Sequence, residues 1–201
     1  MMSTGTLIMN VDELILDQFF GPIVSGIGVW SSSGITDVRI LTLTANTGNS
    51  DAIGCLVDGN AEFNADIFII RAQSHCLQSS TTNSLIWLVE SASTSGTDSA
   101  VLIDTTVNAG TYRFGGRIST AGLNAIEYAG IAVPVNNHLN PSTLINDLAG
   151  NCIVNSSGAP LLLVTQNSIA NTDPDMTNIT MVPTIVGYSA FGLIAVDANV
   201  F

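Results

Sequence analysis

The chain has 201 residues, of which 46% are hydrophobic and only 10% are charged, against roughly 25% charged in typical globular chains. Four arginines and no lysine stand against sixteen carboxylates, which gives a formal net charge of -12. Such a chain cannot build the cationic surface that attracts nucleic acids or anionic membranes, so we expect neither partner.

The scarcity of charge has two interpretations. The simpler one is an acidic, soluble monomer whose surface is covered with Ser, Thr and Asn. The other is a subunit whose surface is largely covered by neighbouring copies, because interface cores are depleted of charged residues. The positive mean hydropathy of +0.44 favours the subunit.

The first thirty residues are predicted to form an N-terminal arm or short helix, followed by a first strand. Apolar residues recur at helical spacing between Val11 and Phe20, and the pattern stops at Gly21 and Pro22, so a helix and an extended arm both fit. The adjacent Phe19 and Phe20 are interface candidates, since they can contact a neighbouring subunit or the chain's own core. We expect no secretory signal, because no basic segment precedes an apolar run with a cleavage site.

Residues 58–118 carry the strongest strand pattern. Asp58-Gly59 is typical of a hairpin turn, and period-two alternation follows in residues 66–76, 84–92 and 101–107. Alternation with β-branched and aromatic residues, separated by Gly, Asn and Asp turns, predicts an antiparallel sheet. The predicted core of this sheet consists of Phe68, Ile70, Trp87, Val101, Ile103 and Phe114.

The rest of the chain continues the pattern of short strands. Residues 123–133 predict another strand, Pro141 to Leu148 a short helix, and four further runs predict strands up to residue 196. About ten short strands without a repeat of fixed period predict an all-β fold. We therefore expect residues 31–201 to form a single antiparallel β-sandwich, jelly-roll-like, with one or two short helices in the chain.

The sequence carries no catalytic motif, and we expect the protein not to be an enzyme. His75 and His138 are interpreted as hydrogen-bonding surface or interface residues, because no G-x-S-x-G elbow accompanies them. The three cysteines lack zinc-site spacing. Cys76 is most simply a small core residue, although a bridge to Cys55 is an alternative.

One acidic loop is a weak calcium candidate. Asn171, Asp173 and Asp175 alternate and offer the hard oxygen ligands that Ca²⁺ takes. The Gly and the distant Glu of an EF-hand are absent, and Asp-Pro is ordinary turn chemistry. A plain loop is therefore the leading interpretation, and we expect no cofactor.

One local stretch has a family resemblance. Residues 109–114, Ala-Gly-Thr-Tyr-Arg-Phe, followed by Ile118, resemble a strand of trimeric jelly-roll domains of the C1q/TNF-like type, and tailed-phage structural proteins carry similar strands. Residues 188–194 are similar to the closing strand of such domains, which ends inside the trimer. The resemblance implies a jelly roll and self-association. It makes Tyr188 and Phe191 interface candidates, and Phe201 is a further one.

These observations predict a structural protein of a virus particle, a bacteriophage capsid, decoration or spike subunit that acts through self-association. Its expected partners are copies of itself and a major capsid or other virion protein, and its expected location is the virion. The alternative is a carbohydrate-binding or adhesin-type β-sandwich, in which exposed Trp30, Trp87 or Tyr128 stack on sugar rings. The simpler interpretation of each of these aromatics is core packing.

Overall fold

The computed structural model describes residues 2–3, 5–18, 26–47, 51–146, 153–165 and 179–183. These residues form strands and no helix, so none of them belongs to a helix that could cross a membrane. The strands are β1 (Met2–Ser3), β2 (Leu7–Val11), β3 (Leu14–Gln18), β4 (Gly26–Ser31), β5 (Ile35–Thr47), β6 (Ala52–Val57), β7 (Glu62–Ala72), β8 (Leu77–Ser79), β9 (Ser84–Thr94), β10 (Val101–Ile103), β11 (Thr111–Thr120), β12 (Ile126–Tyr128), β13 (Asn136–Asn146), β14 (Ile153–Asn155), β15 (Leu161–Thr165) and β16 (Ile179–Pro183).

The strands form a parallel β-solenoid. From β4 to β15 the chain passes alternately through a seven-stranded and a nine-stranded sheet, and the paired strands of both sheets run parallel. Each strand inside a sheet therefore hydrogen-bonds to its equivalents in the preceding and following coils, and the strands at the ends of the sheets pair on one side. The predicted antiparallel jelly-roll sandwich is wrong. An isolated bridge between Thr105 and Ala132 is antiparallel.

The coils differ in length. Phe63 lies beside Leu85, 22 residues further along the chain, whereas Leu7 lies beside Thr36, 29 residues further along. Turns of different length between the strands absorb this variation while the strands stay in register. The variation explains why the sequence shows no fixed period although the fold is repetitive.

The long strands turn a corner near their middle. In β7, Phe63 and Ile67 are buried, the next two residues point outward, and Ile70 is buried again. The buried residues therefore fall on odd-numbered positions before Phe68 and on even-numbered positions after Ile69. The same shift occurs in β5 and β9, so each full coil presents three sides.

The core fills the interior along the length of the described coils. Its largest fully buried side chains include Trp87, Tyr112, Tyr128, Phe63 and Phe114. The predicted burial of Ile70, Trp87, Val101, Ile103 and Phe114 is confirmed. The prediction for Phe68 is wrong, because this side chain lies at the corner of its strand and is 48% exposed.

Several local predictions are corrected by the coil geometry. Gly59 does take a left-handed conformation, with φ of 60°, but the turn leads β6 into the other sheet and makes no hairpin. The predicted helix from Pro141 is wrong, since β13 continues to Asn146. His138 lies in the same strand. The stretch from Val11 to Phe20 contains β3 where a helix was one alternative.

Gly116 marks an irregularity in β11. The register with β9 shifts between Gly115 and Arg117, and Gly116 has φ of 97°. A Cβ atom at Gly116 would overlap the carbonyl oxygen of Val89. Only glycine fits here, because it alone accepts both the left-handed backbone and the close approach of the neighbouring strand.

Candidate functional site

One polar cluster lies at the corner that precedes the short strands. His75, Ser99 and Asn124 occupy equivalent turns of three successive coils, and Glu127 follows in β12. The Ser99 hydroxyl donates to Glu127 Oε2 over 2.5 Å, and Asn124 Nδ2 donates to the same oxygen over 3.1 Å. His75 Nδ1 lies 2.5 Å from the Ser99 carbonyl oxygen. The cluster therefore joins three coils through side-chain hydrogen bonds.

This arrangement does not activate a nucleophile. The Ser99 hydroxyl is buried and donates to a carboxylate, whereas His75 contacts the backbone of Ser99 and not its hydroxyl. Nucleophilic catalysis by serine requires a base within hydrogen-bond reach of the hydroxyl and oriented by a third group. The chemistry of this cluster is therefore that of a structural clamp between coils.

The described cysteines are also unsuited to chemistry. Cys55 and Cys76 are free and buried, so the bridge between them that the sequence left open is absent. Burial raises the pKa of the Cys55 thiol to about 12, and it also raises the pKa of Cys76, whose thiol donates to the Ser93 carbonyl. Both remain thiols at neutral pH, whereas the thiolate is the reactive species. No group of three metal-ligating side chains occurs among the described residues.

The aromatic residues considered for sugar stacking do not form an exposed surface. Trp87 and Tyr128 are fully buried. Trp30 is half-buried, and its Nε1–H donates to Asp58 Oδ2 over 3.2 Å. A stacking platform needs exposed ring faces, and neither Trp87 nor Tyr128 supplies one.

Among the described residues, several exposed apolar side chains lie together on the outer side of the first halves of four adjacent strands of the nine-stranded sheet, β2, β5, β7 and β9. We call it the outer face. Its outward side chains stand in columns across the strands. The first column is Ile8, Asp37, Asn64 and Ile86, the second is Asn10, Arg39, Asp66 and Leu88, and the third includes Leu41, Phe68 and the exposed Glu90.

The outer face combines exposed apolar side chains with isolated charges. Ile8 is 73% exposed, and Leu41, Phe68 and Leu88 are also exposed. A shallow groove of about 310 Å³ runs along the first two columns. Clustered apolar side chains within a polar surround are typical of protein-binding surfaces.

The polar groups of the outer face are arranged across neighbouring strands. Asn64 Nδ2 donates to Asp37 Oδ1 over 2.8 Å, which ties β5 to β7. In the second column, Arg39 of β5 lies beside Asp66 of β7, and both side chains are exposed. The face thus presents one cation and one anion side by side at its centre.

Sequence reasoning did not find this face, because it assigned Phe68 to the core. The available signal was the run Phe68-Ile69-Ile70, which breaks the period-two alternation and so indicates a corner with two outward residues. The interface candidates Phe19, Phe20, Tyr188, Phe191 and Phe201 lie outside the described residues, as do the calcium candidates Asn171, Asp173 and Asp175.

Comparisons with protein-family models, with curated proteins and with solved structures found no match to this chain.

Proposed function

We propose that this protein is a structural subunit of a virus particle, such as a bacteriophage capsid, decoration or spike subunit, and that it acts by binding copies of itself. The observation that carries the proposal is the outer face, where Ile8, Leu41, Phe68 and Leu88 are exposed on a continuous hydrogen-bonded sheet. Covering such a surface removes apolar area from water without any conformational change in the strands.

The composition supports self-association in the same way. Only 10% of the residues are charged, and lysine is absent, which matches the depletion of charge in the cores of protein interfaces. The described polar cluster is engaged in joining coils, and the described thiols are buried. The side chains available for function therefore lie on the surface, and we expect them to act by binding another protein surface.

The assignment to a virus particle rests on the sequence. The chain is rich in Asn, Ser and Thr, and residues 109–114 resemble strands of tailed-phage structural proteins. A major capsid or other virion protein as second partner and the virion as location are parts of this proposal. The sugar-binding alternative loses support, because Trp87 and Tyr128 are buried.

The test is the molar mass in solution, measured by light scattering during size-exclusion chromatography from about 1 to about 500 μM protein, the range in which weak complexes form. We expect the mass to rise above the 20.9 kDa of one chain as concentration increases. A mass of one chain at every concentration would contradict the proposal.

A matched pair of variants locates the contact. Phe68→Ser removes an exposed apolar side chain from the outer face, and Ile131→Ser removes one from the turn before β13, where Ile131 is also exposed. We expect weaker association for Phe68→Ser and unchanged association for Ile131→Ser. Equal masses for both variants and the unmodified protein would place the contact elsewhere on the chain.

A further inference from the structure

We infer that a shallow pocket around Arg71 binds one acidic sugar unit, that is, a sugar that carries a single carboxylate, sulfate or phosphate group. This inference goes beyond the proposed function and does not depend on self-association. Three observations carry it: the charge of the pocket, the polar side chains around the arginine and the size of the space between them.

The pocket lies on the side of the coil that follows the corner at Phe68. Strands β5, β7 and β9 pair here, with Arg71 in register with Thr44 on one side and with Ser93 on the other. The space between their outward side chains has a volume of about 190 Å³. We call it the Arg71 pocket, and its described polar rim consists of Thr44, Asn46, Arg71, Ser93 and Ser95.

The Arg71 pocket contains a cation and no described anion. The chain has sixteen carboxylates and four arginines, yet none of the described residues that line the pocket is acidic. Arg71 is exposed, and it forms no hydrogen bond or ion pair with another described residue. The guanidinium group presents its N–H donors in a planar fork that matches the oxygens of carboxylates and phosphates. An oxyanion therefore suits this position.

The charge pattern around the pocket selects a ligand with one anionic group. Arg117, in register with Ser91, lies two strands and two residues from Arg71, roughly 12 Å away by strand spacing and rise. Asp17 of β3, in register with Asn46, stands at a similar distance on the opposite side. A polyanion needs several cations close together, and the net charge of -12 repels it. A ligand with one acidic group needs only Arg71.

The rim around Arg71 consists of uncommitted hydroxyl and amide groups. The side chains of Thr44, Asn46, Ser93 and Ser95 form no hydrogen bond with another described residue, whereas hydroxyls such as that of Ser99 join neighbouring coils. Hydroxyl and amide groups can both donate and accept hydrogen bonds, as sugar hydroxyls do. A simple anion would use only donors. The rim therefore favours a sugar, and it requires none of the aromatic stacking considered above.

The dimensions of the pocket match one sugar unit. Two strand spacings of about 4.8 Å and a step of two residues of about 3.3 Å each place the rim side chains within an area roughly 10 Å by 7 Å. The volume of about 190 Å³ is smaller than the roughly 300 Å³ at which pockets for drug-sized ligands begin. A monosaccharide unit fits this space, and the open rim leaves room for a chain to continue from it.

The floor of the pocket is held in place by the solenoid. Ala45, Ala72 and Thr94 are buried between the rim residues of their strands. Backbone hydrogen bonds continue beside them, from Gln73 N to the Ala45 carbonyl over 3.2 Å and from Ser95 N to the Ala72 carbonyl over 3.0 Å. Binding therefore requires no ordering of the backbone, which lowers its entropic cost.

Nuclear magnetic resonance of the ¹⁵N-labelled full chain tests the pocket directly. The chain has four arginines, so the arginine Nε–H region contains at most four signals, and the Arg71→Gln spectrum identifies the one from Arg71. We expect this signal to shift with glucuronate, glucose 6-sulfate or glucose 6-phosphate, with a dissociation constant of about 1 mM for the best of them. The acid that binds most tightly identifies the anionic group.

Neutral glucose and acetate separate the two halves of the recognition. Glucose lacks the charge and acetate lacks the hydroxyls, so at constant ionic strength each should bind at least about tenfold more weakly than the best acidic sugar. Glucose binding of equal strength would overturn the role assigned to Arg71. Acetate binding of equal strength would mean that the pocket takes a simple anion, which would overturn the sugar assignment.

A matched pair of arginine variants locates the site. Arg71→Gln removes the cation and keeps a polar side chain, and we expect it to weaken binding of the acidic sugar at least about tenfold, measured from backbone amide shifts. Arg117→Gln is the control, because Arg117 is exposed on the same side of the coil but outside the described lining. Its binding should stay within about threefold of the unmodified protein.

A hydroxyl variant tests the rim independently. Ser93→Ala should weaken binding of the acidic sugar by about threefold and leave the weak binding of acetate unchanged. Unchanged binding of every acidic sugar by Ser93→Ala would overturn the sugar assignment. Circular dichroism of each variant establishes that it is folded before its affinity is interpreted.

The remaining outcomes separate this inference from the proposed function. An Arg71 signal that does not move up to about 50 mM of any of the three acidic sugars would overturn the inference. Equal losses in Arg71→Gln and Arg117→Gln would also overturn it, since they would reflect a general effect of charge. Neither result bears on self-association, which is measured as the molar mass of the protein without sugar.

Discussion

Two buried tyrosines, Tyr112 and Tyr128, differ in the hydrogen bonding of their hydroxyl groups. The Tyr112 hydroxyl donates to the Thr81 carbonyl over 2.7 Å and lies 3.0 Å from the Ser79 hydroxyl. The Tyr128 hydroxyl is buried without a hydrogen-bond partner among the described residues. A satisfied buried hydroxyl contributes to stability, whereas an unsatisfied one carries a desolvation cost.

The two tyrosines therefore give opposite predictions for the same substitution. We expect Tyr112→Phe to lower the free energy of unfolding by about 1–3 kcal/mol, since it leaves a buried carbonyl without its donor. Tyr128→Phe should be neutral or stabilising, because it removes a hydroxyl that has no partner among the described residues. Urea unfolding followed by tryptophan fluorescence measures both, and each variant is the control of the other. Equal losses would contradict this account.

Cys55 predicts how stability depends on pH. Burial raises the pKa of its thiol from 9.0 to about 12, so the unfolded chain loses this proton at lower pH than the folded protein does. The contribution to stability is complete below pH 9 and is lost as the pH rises towards 12. Between these pH values, each such thiol lowers the free energy of unfolding by about 1.4 kcal/mol per pH unit.

The Cys55→Ala variant isolates this effect. Between about pH 9 and about pH 11 its free energy of unfolding should fall less steeply than that of the unmodified protein, by about the slope of one thiol. Between pH 7 and 8 the two proteins should show the same slope, which serves as the internal control. Parallel curves through the alkaline range would show that Cys55 does not carry the dependence.

At the scale of the strand, the irregularity in β11 predicts an intolerant position. Gly116→Ala would place a Cβ atom on top of the Val89 carbonyl oxygen at a backbone φ of 97°, so β9 and β11 would have to separate. We expect a loss of more than about 3 kcal/mol, as for other strained or overpacked core sites.

Gly5→Ala is the matched control for Gly116→Ala, since a Cβ at Gly5 meets nothing within 4 Å. Its effect should stay within about 0.5 kcal/mol. Thermal unfolding followed by circular dichroism compares the two variants. A small loss for Gly116→Ala would mean that the strands accommodate a side chain at this position.

The strands also show how far the sequence predicts the fold. Alternation in residues 84–92 correctly predicted β9, and Trp87 and Phe114 were correctly assigned to the core. The predicted antiparallel pairing was wrong, because a strand buried on one face alternates with period two whether its neighbours run parallel or antiparallel. The turn at Gly59 contributed to the error, since a left-handed glycine suits a corner of a solenoid as well as a hairpin.

The break in alternation at Phe68 could have indicated an outward corner, but the columns of the outer face could not be predicted. Arg39, Asp66 and Leu88 are separated by 27 and 22 residues, and they share a column only because the coils stack in register. A coil of variable length hides such columns from any search for a fixed spacing. The sequence shows the charged residues Arg39 and Asp66, but it does not show which residues lie beside them in the folded protein.

For the whole molecule, we predict that self-association changes little with salt. Each copy carries a net charge of -12, so repulsion between copies opposes assembly and is screened as ionic strength rises. Any ion pair that the exposed Arg39 forms in the contact would be weakened by the same screening, but exposed ion pairs contribute only about 0–1 kcal/mol each. Apolar contact is unaffected by screening and should dominate.

Sedimentation from about 0.05 to about 1 M sodium chloride measures this balance over ionic strengths at which the screening length falls from above to well below 10 Å. We expect association to hold or to tighten slightly across the series. A steady loss of mass with rising salt would show that ion pairs dominate the contact. The Arg71→Glu variant, which changes charge outside the outer face, controls for the effect of net charge.

The unequal turns have a practical consequence for engineering. The connection from β6 to β7 occupies residues 58–61, whereas the connection from β10 to β11 occupies residues 104–110 and carries Val107 in solvent. The strands on either side keep their hydrogen bonds in both cases. The length of the connection at this edge therefore does not affect the pairing between coils. A foreign peptide grafted between Thr106 and Ala109 would extend from this edge of the described coils, and the closure entropy of such a loop grows only slowly with its length. A peptide inserted in this connection would be held at the level of the coil that contains β10 and β11.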